Sequence, residues 1–90
     1  MKYNLKQTLY SDFNGSLCTD KRDGMTLFAK KGTLFECFEL TEEIRNEYGE
    51  YDKKFNYIFI DKNRNYILSE NDNMTYFVNE KENKQWSHPN

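Results

Sequence analysis

A chain of 90 residues, 37% hydrophobic and 17% aromatic, with net charge −2, can bury one modest core built more from rings than from aliphatics. The near-neutral balance argues against a generic nucleic-acid binder, which is commonly basic overall. No apolar run approaches a membrane span, and MKYNLKQTLY lacks the apolar stretch of a secretory leader, so the expectation is a cytoplasmic chain without membrane association.

Strand-forming residues dominate from the start. Ala29 is the one alanine, and the Tyr, Phe and Ile that replace such small residues pack well on a pleated surface. Tyr3 to Tyr10 reads as an N-terminal strand. Asp12 to Gly24, with Asn14-Gly15 and Asp23-Gly24, reads as loop with a short strand near Leu17. MTLFAKKGTLFECFEL, Met25 to Leu40, predicts two strands joined at Lys30-Lys31-Gly32, where Gly32 supplies the positive φ such a turn needs.

The next segment, Thr41 to Gly49, carries helix signals. Thr41 is a candidate N-cap, Glu42 and Glu43 suit the positive end of the helix dipole, Ile44 and Tyr48 fall at i and i+4, and Gly49 suits the residue past the end. Two turns are marginal alone, so Ile44 and Tyr48 must dock on a sheet. A β-hairpin arm with the same charge is the alternative.

Three β-rich runs close the chain: Phe55 to Asp61, Asn65 to Glu70 and Met74 to Glu80, separated by Lys62-Asn63-Arg64 and Asn71-Asp72-Asn73. Asn and Asp tolerate the left-handed backbone of tight turns, so these runs predict a three-stranded antiparallel meander. Phe55, Tyr57 and Phe59 alternate with Ile58 and Ile60, which puts apolar groups on both faces of the first of these strands. The expected fold is mainly β (α+β): a small five- to six-stranded antiparallel bent sheet or SH3-like barrel with one short helix near 41–48. It forms one β-rich domain over 1–82, followed by a polar tail at 83–90.

Catalytic groups are scarce. His88 is the one histidine, and Cys18 and Cys37 lack CxxC spacing, so no zinc site, Cys-His device or other cofactor site is expected. The two cysteines read as reduced thiols. DKRDG at Asp20 to Gly24 departs from a calcium loop at Lys21 and Lys30, and no glycine-rich phosphate loop occurs. The chain reads as non-enzymatic.

Charge placement is the distinctive feature. From Glu36 to Asp52 there are seven acidic residues and one base, Arg45, a local net of −6; the remaining eight acids and twelve bases leave +4 elsewhere. A charge run is commonly a solvated face. An acidic segment punctuated by tyrosine also suits a basic partner surface, because complementary potentials raise on-rates and Tyr often anchors interfaces. The candidate partner-binding set is Glu39, Glu42, Glu43, Glu47, Tyr48, Glu50, Tyr51 and Asp52. Two other readings stay open. One is a small-ligand or single-strand-binding barrel that uses its aromatic face with Lys30, Lys31 and Lys54. The other is a homo-oligomer, suggested by the two apolar faces of the Phe55 to Ile60 strand.

GTLFECFEL, the acidic excursion, YIFIDKNRNYILSE and MTYFVNE together resemble small SH3-like barrels of bacteria and their phages, over roughly Lys30 to Glu80. With the Asn, Lys, Tyr and Ile enrichment, the chain is similar to small phage or mobile-element proteins that inhibit host or defence machinery, anti-CRISPR proteins among them. That resemblance implies a larger host or defence protein with a basic, nucleic-acid-handling surface as partner, and a place in the host cytoplasm.

Overall fold

The computed structural model describes residues 1–71 and 75–79. Asp72, Asn73, Met74, Glu80 and the expected tail at 83–90, with His88, lie outside the described residues. In chain order the elements are β1 (Lys2–Leu5), β2 (Leu9–Ser11), β3 (Leu17–Cys18), β4 (Thr26–Ala29), β5 (Leu34–Glu39), α1 (Glu42–Tyr48), β6 (Tyr57–Ile60), β7 (Tyr66–Ser69) and β8 (Phe77–Asn79). The chain is mainly β with one short helix, as expected. Its strands form two sheets, one of order β7-β6-β5-β1-β8 and one of order β3-β2-β4, with antiparallel neighbours throughout.

The expected N-terminal strand is two strands, because the chain changes sheet between them. The same change occurs between β4 and β5, so these two are not paired with each other; β4 pairs with β2, and β5 with β1 and β6. The crossings are tied together. Gly32 N–H donates to the Leu5 carbonyl, Leu5 N–H to the Thr33 carbonyl, and Lys31 N–H to Thr8 Oγ1. Gly32, at φ 87°, provides the sharp reversal at this corner.

The larger sheet is strongly curled, and its rings show it. Phe59 on β6 stacks on Phe77 of β8 with centroids 4.7 Å apart, although β5 and β1 lie between their strands. In a flat sheet three strand spacings would separate them by about 14 Å. Tyr3 and Phe35 fill the same concave side, at 5.3 Å from Phe59 and 5.1 Å from Phe77 respectively. Leu9 and Ala29 of the smaller sheet cover this ring cluster, so the core lies between the two sheets, a barrel-like arrangement.

Here the expected meander needs a correction. β6 and β7 form its hairpin, but β8 pairs with β1 at the far edge of the sheet. That position brings Phe77 beside Leu5 in register and into the ring cluster. Alternation of apolar residues tells which face of β8 is buried and carries no information about which edge it joins.

The hairpin turn has a twin. Asp61 Oδ1 accepts the N–H groups of Asn63 and Asn65, and Asp12 Oδ1 accepts those of Asn14 and Ser16 at the same spacing. In each turn the residue three past the aspartate takes a left-handed backbone: Gly15 at φ 85° and Arg64 at φ 67°. Asn and Asp were the residue types expected to tolerate that backbone, and within Lys62-Asn63-Arg64 it is Arg64 that adopts it. Arg64→Gly is expected to stabilise the fold by about 0.5–1 kcal/mol, read from the urea midpoint, since glycine adopts this φ without a Cβ clash. A loss of stability would mean that the Arg64 side chain contributes more than the backbone relief.

β6 sits between β5 and β7 and is covered on both sides. Phe59 faces the ring cluster, while Ile58, also fully buried, faces away from it on the side where α1 lies. The helix is the one its capping signals predicted. Thr41 Oγ1 accepts the Ile44 N–H at 3.3 Å, and Gly49 ends it in the left-handed region at φ 69°. Tyr48 meets Tyr66 of β7 with ring centroids 5.0 Å apart, and this contact with half-buried Ile44 seats α1 on the sheet.

Candidate acidic interface

The acidic lobe is a helix and the loop that returns from it. Seven residues of helix have little stability of their own, so the lobe's shape depends on what ties it down. The tie is Arg45. Its side chain is 5% exposed, and its guanidinium donates to the carbonyls of Asp52, at 3.0 Å, and Phe55. Arginine suits this role because its fork of donors can serve two carbonyls at once. The one base counted against the seven acids in sequence therefore points inward and clamps the 49–55 loop to the helix.

Two of the carboxylates in the loop are also occupied with its shape. Glu50 Oε1 accepts the Asp52 N–H and Asp52 Oδ1 accepts the Lys54 N–H, each an acceptor for a backbone donor two residues on. Glu42 receives Lys53 Nζ at 2.9 Å, and that hydrogen bond and charge hold its carboxyl below the usual carboxylate range. Glu47 faces Arg64 at 3.5 Å. Both pairs are exposed and screened by solvent, so their main consequence is to lower the lobe's charge. Glu43 forms no ion pair among the described residues.

The predicted set is thus only partly brought together. Glu42, Glu43, Glu47, Glu50, Tyr51 and Asp52 belong to one helix and loop, with Tyr51 64% exposed. Tyr48 is half-buried against Tyr66 and supports the helix more than it offers surface. Glu39 stands apart. It is in register with Tyr57, two residues from Cys37, which faces Phe59, so the pleat sends it to the side of the sheet opposite Phe38 and α1.

Sequence reading missed Lys53 and Arg64 as members of the lobe. Lys53 was within reach of inference, since it lies in the loop that returns to the helix. Arg64 comes from the β6–β7 turn, and no local signal announces its approach. Of the aromatic rings, Tyr3, Phe35, Phe59 and Phe77 are buried in the core, Phe13, Phe38, Tyr51 and Tyr66 are exposed, and Lys54 lies over Phe55 at 5.0 Å. Cys18 and Cys37 are both half-buried.

Among the described residues no three His, Cys, Asp or Glu side chains converge as a metal site, and no helix is long and apolar enough to cross a membrane. Buried Asp61 is satisfied within its turn, through the Asn63 and Asn65 N–H groups and Asn65 Nδ2. Compared with known proteins, the chain matches no family model, no curated sequence and no solved structure.

Proposed function

We propose that the chain is a non-enzymatic protein-binding module whose acidic helix and return loop dock on a basic surface of a larger protein. The observation that carries this reading is the inward turn of Arg45. It leaves Glu42, Glu43, Glu47 and exposed Tyr51 on the outside, and it orders the loop before any partner arrives. A pre-ordered surface loses less conformational entropy on binding, and an acidic field around an aromatic anchor favours both encounter and retention. A protein surface that ordinarily handles nucleic acid is the partner class this charge suits, because carboxylates on a rigid helix can take the place of phosphates there. Inhibition of such a host or defence complex is the biological role that fits.

The test uses the chain as bait in a nuclease-treated bacterial lysate, beside a Glu43→Lys/Glu47→Lys variant. Glu50 is spared because its carboxylate holds the loop. The variant is expected to keep its melting profile and to lose the partner, with affinity down by at least about 100-fold for two reversed charges at a complementary interface. Equal recovery of the same protein on both baits would overturn the reading. Recovery that vanishes with nuclease would point instead to nucleic acid.

A further inference from the structure

Among the described residues the two sheets end in four edge strands, β7 and β8 on the larger and β3 and β4 on the smaller. An open edge presents unpaired backbone N–H and C=O groups, so proteins commonly keep edges short, irregular, charged or covered. β3 has two residues and β8 three. β4 pairs with β2 through a register shift, and its Phe28 carbonyl accepts a hydrogen bond from Asn65 Nδ2. β7 carries none of these devices. It is four residues long, Tyr-Ile-Leu-Ser, in unbroken register with β6 and without charge or proline.

The ladder tells which backbone groups of β7 point outward. Asp61 N–H donates to the Asn65 carbonyl and Phe59 lies opposite Ile67, so Asn65, Ile67 and Ser69 turn their backbone groups toward β6. Tyr66 and Leu68 therefore turn theirs away, along an open groove of about 550 Å³ that they line with Ile67. Their side chains lie on the α1 side, Leu68 opposite Ile58 and Tyr66 against Tyr48. The charges sit at the two ends of the strand. Arg64 stands three residues before Ile67 and Glu70 three residues after it, and both are exposed. Glu70 forms no ion pair among the described residues, while the Arg64 guanidinium has the 3.5 Å contact with Glu47 and donors to spare.

We propose that β7 pairs antiparallel with β7 of a second copy, about a two-fold axis that passes between the two Ile67 residues and joins the two larger sheets into one. Symmetry sets the register, because residues that face each other lie equally far from Ile67 on opposite sides of it. Tyr66 is then opposite Leu68 of the partner subunit, and the two exchange both of their backbone hydrogen bonds. Arg64 is opposite Glu70 of the partner subunit. The axis repeats each pair, and Ile67 alone meets itself. Moving the axis to Tyr66 or Leu68 keeps the backbone bonds and takes Arg64 away from Glu70, so the terminal charges select this register. A strand from another protein would need a base at its N-terminal end, an acid at its C-terminal end and apolar residues between; β7 with its flanks, Arg-Asn-Tyr-Ile-Leu-Ser-Glu, is such a strand. The pairing does not depend on what the acidic lobe binds.

Sedimentation velocity tests this on the whole chain. A short strand edge makes a small interface, so the wild-type protein is expected to pass from monomer to dimer as concentration rises toward roughly 1 mM. Amide hydrogen exchange over the same series is expected to slow at Tyr66 and Leu68 as the dimer fills. Arg64→Glu and Glu70→Arg should each weaken the dimer by roughly tenfold or more, because like charges then face each other at both ends of the pair. An equimolar mixture of the two variants should associate as the wild type does, since both end charges of one are opposite to both of the other. A wild-type chain that stays monomeric over the whole series overturns the proposal. So does a dimer that leaves the Tyr66 and Leu68 amides unchanged, a dimer indifferent to the charge reversals, or a mixture of folded charge variants that fails to associate. The exchange measurement needs no substitution, so it decides the question even where a variant folds poorly.

Discussion

Phe59→Ala is expected to lower the folding stability by about 3–5 kcal/mol, enough to leave much of the population unfolded. Phe59 is fully buried, and its ring touches Tyr3 at 5.3 Å and Phe77 at 4.7 Å. Those contacts bring β6, β1 and β8 together across the curl of one sheet, and Phe35 of β5 joins them through Phe77. Removing the ring deletes its transfer free energy and leaves a cavity among the remaining close-packed rings. Equilibrium urea unfolding measures the loss, with Phe13→Ala as the comparison. Phe13 is 94% exposed at the tip of the Asp12 turn, and its removal should change stability by no more than about 0.5 kcal/mol. A Phe59→Ala loss below about 1 kcal/mol would contradict the shared ring core.

Arg45→Met is expected to cost about 2–4 kcal/mol and to loosen the acidic lobe. Methionine keeps much of the apolar stem while removing every donor, so the Asp52 and Phe55 carbonyls lose the guanidinium that satisfies them. Thermal melting reads the cost. Hydrogen exchange reads the local effect, in faster exchange of the Glu50 and Asp52 amides, which the loop now protects. The same variant separates two explanations of binding. Removing Arg45 makes the segment more negative, so a partner held by charge alone would bind the variant more tightly. A partner that needs the ordered surface would bind it more weakly, by the cost of ordering the loop, and weaker binding is the expected result. Arg45→Lys should fall between wild type and Arg45→Met in stability, because an ammonium cannot present a guanidinium fork to two carbonyls.

What could be read in advance follows the range of the interactions involved. The helix from Glu42 to Tyr48 was legible because its determinants lie within ten residues: the Thr41 hydroxyl, the two glutamates of the first turn and the left-handed Gly49. The β6–β7 hairpin and the Gly32 corner were legible for the same reason. Alternation along Phe55 to Ile60 showed that both faces of that strand are apolar, and both are covered in the fold. The acidity of Glu36 to Asp52 is a property of the sequence alone.

Tertiary structure decided how those pieces meet. Nothing in the period of β8 distinguishes the edge of β7 from the edge of β1, and the choice is made by the ring cluster that Phe77 completes. The split of the N-terminal strand between two sheets depends on hydrogen bonds to a turn more than twenty residues away. Whether Arg45 neutralises the lobe or braces it depends on carbonyls that reach it only when the loop has folded back, and Arg64 reaches Glu47 only once the hairpin is beside the helix. Short-range capping, turn chemistry and alternation are written in neighbouring residues. Pairing between distant strands and the direction of a buried charge arise from which groups lose water together, and that is settled only when the chain has closed on itself.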